Sequence, residues 1–169
     1  MRRSNNPPMT RLTTRWMLSA MAGVFAASVA FAAPQADPFS GTWTLNVAKS
    51  KYDPGPTPKV GSVTFTTVGK TVKAVITGVT GTGDKVQWEY SAAMDGKDHP
   101  MTGTADGDTI ALKPINANSV ETTYKLKGKV TLVNVRTVSA DGKTLTVTTK
   151  GTNAQGQKVN NVQVFEKKM

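Results

Sequence analysis

Residues 85–94 read Lys-Val-Gln-Trp-Glu-Tyr-Ser-Ala-Ala-Met, and their alternation decides the fold class. Val86, Trp88, Tyr90, Ala92 and Met94 fall on one parity; Lys85, Gln87, Glu89 and Ser91 fall on the other. A side-chain period of two with one charged face belongs to a strand that is buried on one side and wet on the other. The pattern repeats outward from there. In 120–127, Val120, Thr122, Tyr124 and Leu126 oppose Glu121, Thr123, Lys125 and Lys127. In 72–77, Val72, Ala74 and Ile76 oppose Lys73, Val75 and Thr77. Segment 130–138 breaks step, with Val130 and Leu132 on one face and Val133 and Val135 on the other. Asp98-His99-Pro100 is poorer strand material, because proline removes a ladder donor and belongs at an edge, a bulge or a strand start.

Turn signals separate these runs. They fall at Gly69-Lys70, Gly81-Thr82-Gly83-Asp84, Asp95-Gly96, Asp106-Gly107, Asn116-Ala117-Asn118, Gly128-Lys129, Asp141-Gly142 and Gln155-Gly156. Recurring hairpin turns between Val-, Thr-, Ile-, Tyr- and Trp-rich segments describe an antiparallel meander. The strands are expected at 41–47, 59–68, 71–80, 85–94, 98–104, 108–114, 119–127, 130–139, 143–151 and 157–167. Short links make neighbours in sequence neighbours in space. A meander of eight to ten twisted strands removes both its edges by closing, so the expected architecture is all-β, an up-and-down barrel. A β sandwich would need crossing connections that these turns do not offer.

The barrel is expected to begin at residue 39 and to run to 169, behind a leader and a short linker. Arg2, Arg3, Arg11 and Arg15 precede the apolar run Trp16–Ala32, which ends in the small-residue site Ala30-Phe31-Ala32. A basic start, an apolar middle and a small-residue exit describe a secretory signal peptide over 1–33, with 34–38 as linker. The expected location is periplasmic or secreted. With no cysteine in the chain, a lipid-modified cysteine and a disulfide framework are both excluded. Past residue 33, seventeen basic residues stand against eleven acids, a balance of +6, and Arg136 is the only arginine among them. Lysines of this kind protect strand faces and edges from pairing. Readers of nucleic acid lean on arginine forks, so no nucleic-acid partner is expected. Attraction to anionic envelope components remains open.

Catalytic machinery is not visible. His99 is the sole histidine, and no serine elbow accompanies it. Zinc sites of the cysteine–histidine kind are ruled out by composition. Asp106-Gly107-Asp108 and Asp95-Gly96-Lys97-Asp98 read as hairpin turns and not as calcium loops. No metal, no cofactor and no enzymatic activity are expected, although an enzyme acting on a lipophilic substrate is a third reading. Trp43, Phe65, Trp88, Tyr90 and Tyr124 all lie on the apolar parity of their strands. They either fill a solid core or line a cavity, and more than about eight strands leave room inside. The cavity reading makes Phe65, Trp88, Tyr90, Tyr124 and Arg136 ligand-binding residues for a small apolar or amphipathic molecule. The alternative is a structural or interaction protein of the cell envelope, a filled barrel with a lysine-rich exterior.

Phe39-Ser40-Gly41-Thr42-Trp43-Thr44-Leu45 opens the first strand with a G-x-W motif, and Val164-Phe165-Glu166-Lys167 closes the last. Both ends resemble the calycin group of lipocalins and intracellular fatty-acid-binding proteins. The stretch Gly41–Pro58 also looks like the opening of small secreted bacterial lipocalin-like proteins. The resemblance implies that Gly41 and Trp43 serve barrel closure, with the tryptophan covered by an arginine, for which Arg136 is available. It also implies departures. Ala48–Pro58 replaces the two lid helices of fatty-acid-binding proteins. Gln163 and Phe165 stand where those proteins carry R-x-Y for a ligand carboxylate, and the closing helix of lipocalins has no counterpart.

Overall fold

The computed structural model describes residues 37–169. The expected leader over 1–33, and residues 34–36 of the linker, lie outside the described residues.

Each of the ten expected segments forms a strand, with bounds within two residues of expectation. They are β1 (Gly41–Leu45), β2 (Val60–Val68), β3 (Thr71–Val79), β4 (Lys85–Ala93), β5 (Asp98–Thr102), β6 (Thr109–Asn116), β7 (Ser119–Leu126), β8 (Lys129–Val138), β9 (Thr144–Thr152) and β10 (Lys158–Lys167). One 3-10 turn, Val47–Lys49, follows β1. Every neighbour in sequence pairs antiparallel, and β1 pairs with β10 through Trp43–Lys167, Thr44–Glu166 and Leu45–Phe165. The meander therefore closes into a barrel, which leaves no long strand edge to be protected.

The parity of the sequence becomes inside and outside. Val72 and Ala74 on β3, Tyr90 and Ala92 on β4, and Val120, Thr122 and Tyr124 on β7 are all buried. The out-of-step segment is explained by a bulge: Tyr124 pairs with Leu132 and Lys125 with Val130, so Thr131 is an extra residue on β8. The inserted residue switches the parity, leaving Val130 exposed and turning Leu132, Arg136 and Val138 inward. Opposite the bulge, β9 carries Gly151 at φ +146°, where a Cβ would stand 2.1 Å from the Thr131 carbonyl oxygen. Only glycine allows the two backbones to approach that closely. The segment containing Pro100 is the weak part of the wall: β5 meets β4 only at Glu89–Thr102 and Tyr90–Met101.

The turns alternate between two ends. At one end β1 begins and β10 finishes; this is the Trp43 end. At the other end lie the β1–β2, β3–β4, β5–β6, β7–β8 and β9–β10 connections, which form the rim of the interior.

Candidate functional site

Packing fills the Trp43 end. Phe39, Trp43, Leu112 and Val138 are buried there, and the Trp43 indole N–H donates to the Phe39 carbonyl at 2.7 Å. That bond satisfies the polar atom of an otherwise apolar ring. Asp37 caps the same corner, accepting from the Phe39 amide at 3.0 Å and from the Thr67 hydroxyl. The cation over Trp43 is Lys167, with its Nζ 5.1 Å from the ring centroid, and not Arg136 as expected. The reason is register. Lys167 is the strand partner of Trp43, and its stem crosses Gly41, where an added Cβ would meet Lys167 Cε at 3.2 Å. Gly41 also holds φ +118°, so both space and backbone favour glycine.

Arg136 lies farther inside. Its guanidinium sits 4.8 Å from the Phe65 ring centroid and 5.3 Å from that of Phe39. Nη1 donates to the Tyr90 hydroxyl at 2.6 Å. Phe65, Ala74 and Tyr90 are register partners across β2, β3 and β4, so a small residue separates two of the three aromatic residues around the cation. The side chain is only 4% exposed, and its Nε and Nη2 have no hydrogen-bond partner. Among the described residues no carboxylate pairs with it; the ion pairs there are Lys49–Glu166, Lys73–Glu89 and Lys125–Asp98. A buried cation whose only contacts are two ring faces and one phenol is under-compensated.

Two other buried polar atoms lack partners among the described residues, Thr122 Oγ1 and Asn134 Oδ1. Thr122 and Asn134 face each other across β7 and β8, and Arg136 is two residues along β8. All the unsatisfied buried side-chain atoms of the described residues thus fall on three neighbouring inward positions. Buried polar atoms without a partner are rare in folded proteins, and here they fall together instead of being scattered.

That cluster faces a chamber of about 220 Å³ with mostly apolar walls, including Val63, Phe65, Ile76, Trp88, Leu145 and Phe165. Trp88 stacks on Tyr90 (centroids 6.3 Å apart, planes at 29°) and meets Tyr124 edge-on at 5.8 Å. Asn134 donates to the Tyr124 hydroxyl at 3.0 Å. Burial pushes the Tyr124 phenol well above its ordinary range, so it stays neutral and adds no negative charge near Arg136. A second chamber of about 310 Å³ adjoins the first, and Trp88, Tyr124, Asn134 and Gln163 line both. Its other walls are mostly polar, with Asp106, Thr149, Asn153, Gln157 and Asn161 beside Leu132 and Val159.

The proline-rich segment 51–58 straps the rim. Lys51 bridges to Val162, the Asp53 carbonyl accepts from the Asn160 amide at 2.6 Å, and the Asp53 amide donates to Asn161 Oδ1 at 2.8 Å. Farther on, Pro56 lies so close to Gly81 of the β3–β4 turn that a Cβ there would be 2.5 Å away. Tyr52 and Pro58 line the apolar chamber, Pro54 and Gly55 the polar one. Burial raises the Tyr52 phenol above its usual range, and its oxygen accepts from Gln163 Nε2 at 2.8 Å.

The structure therefore brings Phe65, Trp88, Tyr90, Tyr124 and Arg136 to one chamber and sets Gly41 and Trp43 apart at the packed end. Sequence reasoning missed Thr122, Asn134, Thr149 and Asn161 as a group, and the strap with its Tyr52. Asparagine is depleted in strands, so Asn134 and Asn161 at inward parity were the available signal.

No family model and no curated protein matches the chain. Among solved structures it is similar to a redesigned β-barrel, at 12% identity and a TM-score of 0.47, covering 78% of this chain and 93% of that one. The barrel assignment rests on the strand register of this chain.

Proposed function

We propose that the protein binds a small amphipathic anion inside its barrel, the apolar body in the chamber bordered by Trp88 and the anionic head against Arg136. The observation that carries this reading is the clustering of the unsatisfied atoms of Thr122, Asn134 and Arg136 on one chamber wall. A carboxylate or similar head would supply acceptors to Arg136 Nε and Nη2 together and offset the buried charge. An apolar tail would take up the space that the surrounding rings and aliphatic side chains leave. The reading extends to export through the leader at 1–33, to a periplasmic or secreted location, and to binding without catalysis. It also keeps the calycin likeness as an expectation about ancestry, supported by Gly41-x-Trp43 in the first strand of a closed meander.

Native mass spectrometry of protein purified from its own host tests the proposal. A co-purifying small anion that is lost on Arg136→Met supports it. Bare wild-type protein whose melting temperature is unmoved by decanoate leaves the filled barrel with a lysine-rich exterior.

A further inference from the structure

The polar chamber has a composition that the anion site does not explain. Thr122, Asn134, Thr149 and Asn161 are successive register partners across β7, β8, β9 and β10, so they form one continuous inward row. Three of these positions border the polar chamber, joined there by Asp106, Gln157 and Gln163. Much of their hydrogen-bonding capacity is unused. Asp106 Oδ1 accepts from the Ala154 amide, but Oδ2 has no partner among the described residues. Asn161 spends its carbonyl on the Asp53 amide and leaves its NH₂ free. Gln157 accepts from Asn153 and leaves its NH₂ free, and Gln163 donates to Tyr52 and leaves its carbonyl free. Thr149 lines the chamber, and its hydroxyl bonds to no other described residue.

The sum of these free groups selects a chemistry. No lysine or arginine lines the chamber and one carboxylate does, so an anion is disfavoured. An ammonium would use the free carbonyls and waste the free amide N–H groups. A hydroxyl both donates and accepts, and several hydroxyls on one ring match a mixed set of amides, one carboxylate and a threonine. Trp88 and Tyr124 supply apolar surface for the C–H face of such a ring, at the boundary shared with the apolar chamber.

We infer that the polar chamber is a second subsite, which takes a neutral polyhydroxylated group such as a sugar ring attached to the apolar body held next door. The inference rests on the reading that the barrel interior binds a ligand, and it adds a third part to that ligand beside its apolar body and anionic head.

Octyl β-D-glucoside, used below its micelle-forming concentration, and octan-1-ol are the probes, with titration followed by calorimetry and by the Trp88 indole N–H resonance. Octan-1-ol reads the apolar chamber alone. The glucoside should bind at least about tenfold more tightly, since two or three net hydrogen bonds suffice for that factor. Thr149→Val, nearly isosteric, should remove severalfold of the glucoside affinity and leave octan-1-ol unchanged. Gln157→Ala, at an exposed position that leaves the core intact, should act in the same direction. Equal affinities for the two probes, or variants that weaken both equally, would overturn the subsite and leave interior binding standing. Binding of neither probe would overturn the subsite, and interior binding falls with it if decanoate also fails to bind. Free glucose shifting the Trp88 signal while octan-1-ol does not bind would keep the subsite and remove the apolar one.

Discussion

The two ends of this barrel are made from the same period-two strands and differ in what occupies the inward positions. At the Trp43 end these are Trp43, Val72, Leu112 and Val138, all buried and closed over by Phe39. Toward the rim they become Trp88, Asn134, Thr149 and Asn161, which border open chambers, and Val86 is 40% exposed. Packing is therefore concentrated at one end, where side chains meet on all sides, and open interior space at the other, where the proposed ligand would sit. Arg136 sits where the two regimes meet, between the ring of Phe39 at the packed end and that of Phe65 in the chamber wall.

Truncation separates the two ends most sharply. Trp43→Ala removes a fully buried ring and leaves the Phe39 carbonyl without its donor, so it should cost about 3–5 kcal/mol by denaturant titration. Trp88→Ala removes a ring of the same size from a wall between two chambers. It should cost less than half as much and abolish the fluorescence response to decanoate. Equal stability losses for the two variants would erase the distinction between the ends.

Acid should act on the packed end, and weakly. Three carboxyls lie below their ordinary range there: Asp95 through its His99 hydrogen bond, Asp141 through the Ser139 hydroxyl, and Glu166 through the Asn46 amide and then Lys49. Because their folded-state values are depressed, their contribution is present above the usual carboxylate range and is lost as pH falls through the folded values. All three are solvent-exposed, so a modest decline in melting temperature below about pH 4 is expected. A triple variant Asp95→Asn, Asp141→Asn, Glu166→Gln should flatten that decline. If it does not, acid sensitivity originates elsewhere.

Strand positions and most parities were legible in the sequence because most strands keep one wet face, which marks the other as buried; β8 was the exception, because its bulge at Thr131 shifts the parity. The five aromatic positions followed from the same alternation. Register was not legible. Nothing in the spacing of residues 43, 136 and 167 says that Lys167 and not Arg136 covers Trp43, since that depends on how β10 slides against β1. Likewise Arg136 and Tyr90 are 46 residues apart and meet only because the barrel closes. The polar row was hidden for the same reason: each of its members looks like an isolated exception until β7–β10 are aligned. The strap was hidden by its composition, because a proline-rich segment carries no period and its role depends on where Asn160, Asn161 and Gly81 anchor it.

Paired thermal melts of wild type and Arg136→Met, each with and without decanoate, test the central claim most directly. Arg136 is a buried charge without a carboxylate partner, so its replacement by a methionine of similar length should cost no stability in the absence of ligand, and can raise it. Decanoate at about a hundred times its dissociation constant should stabilise the wild type by about 2.7 kcal/mol. The same concentration should leave Arg136→Met unmoved. A variant that is strongly destabilised without ligand, or one that decanoate stabilises as much as wild type, would contradict the assignment of Arg136 as the anion anchor.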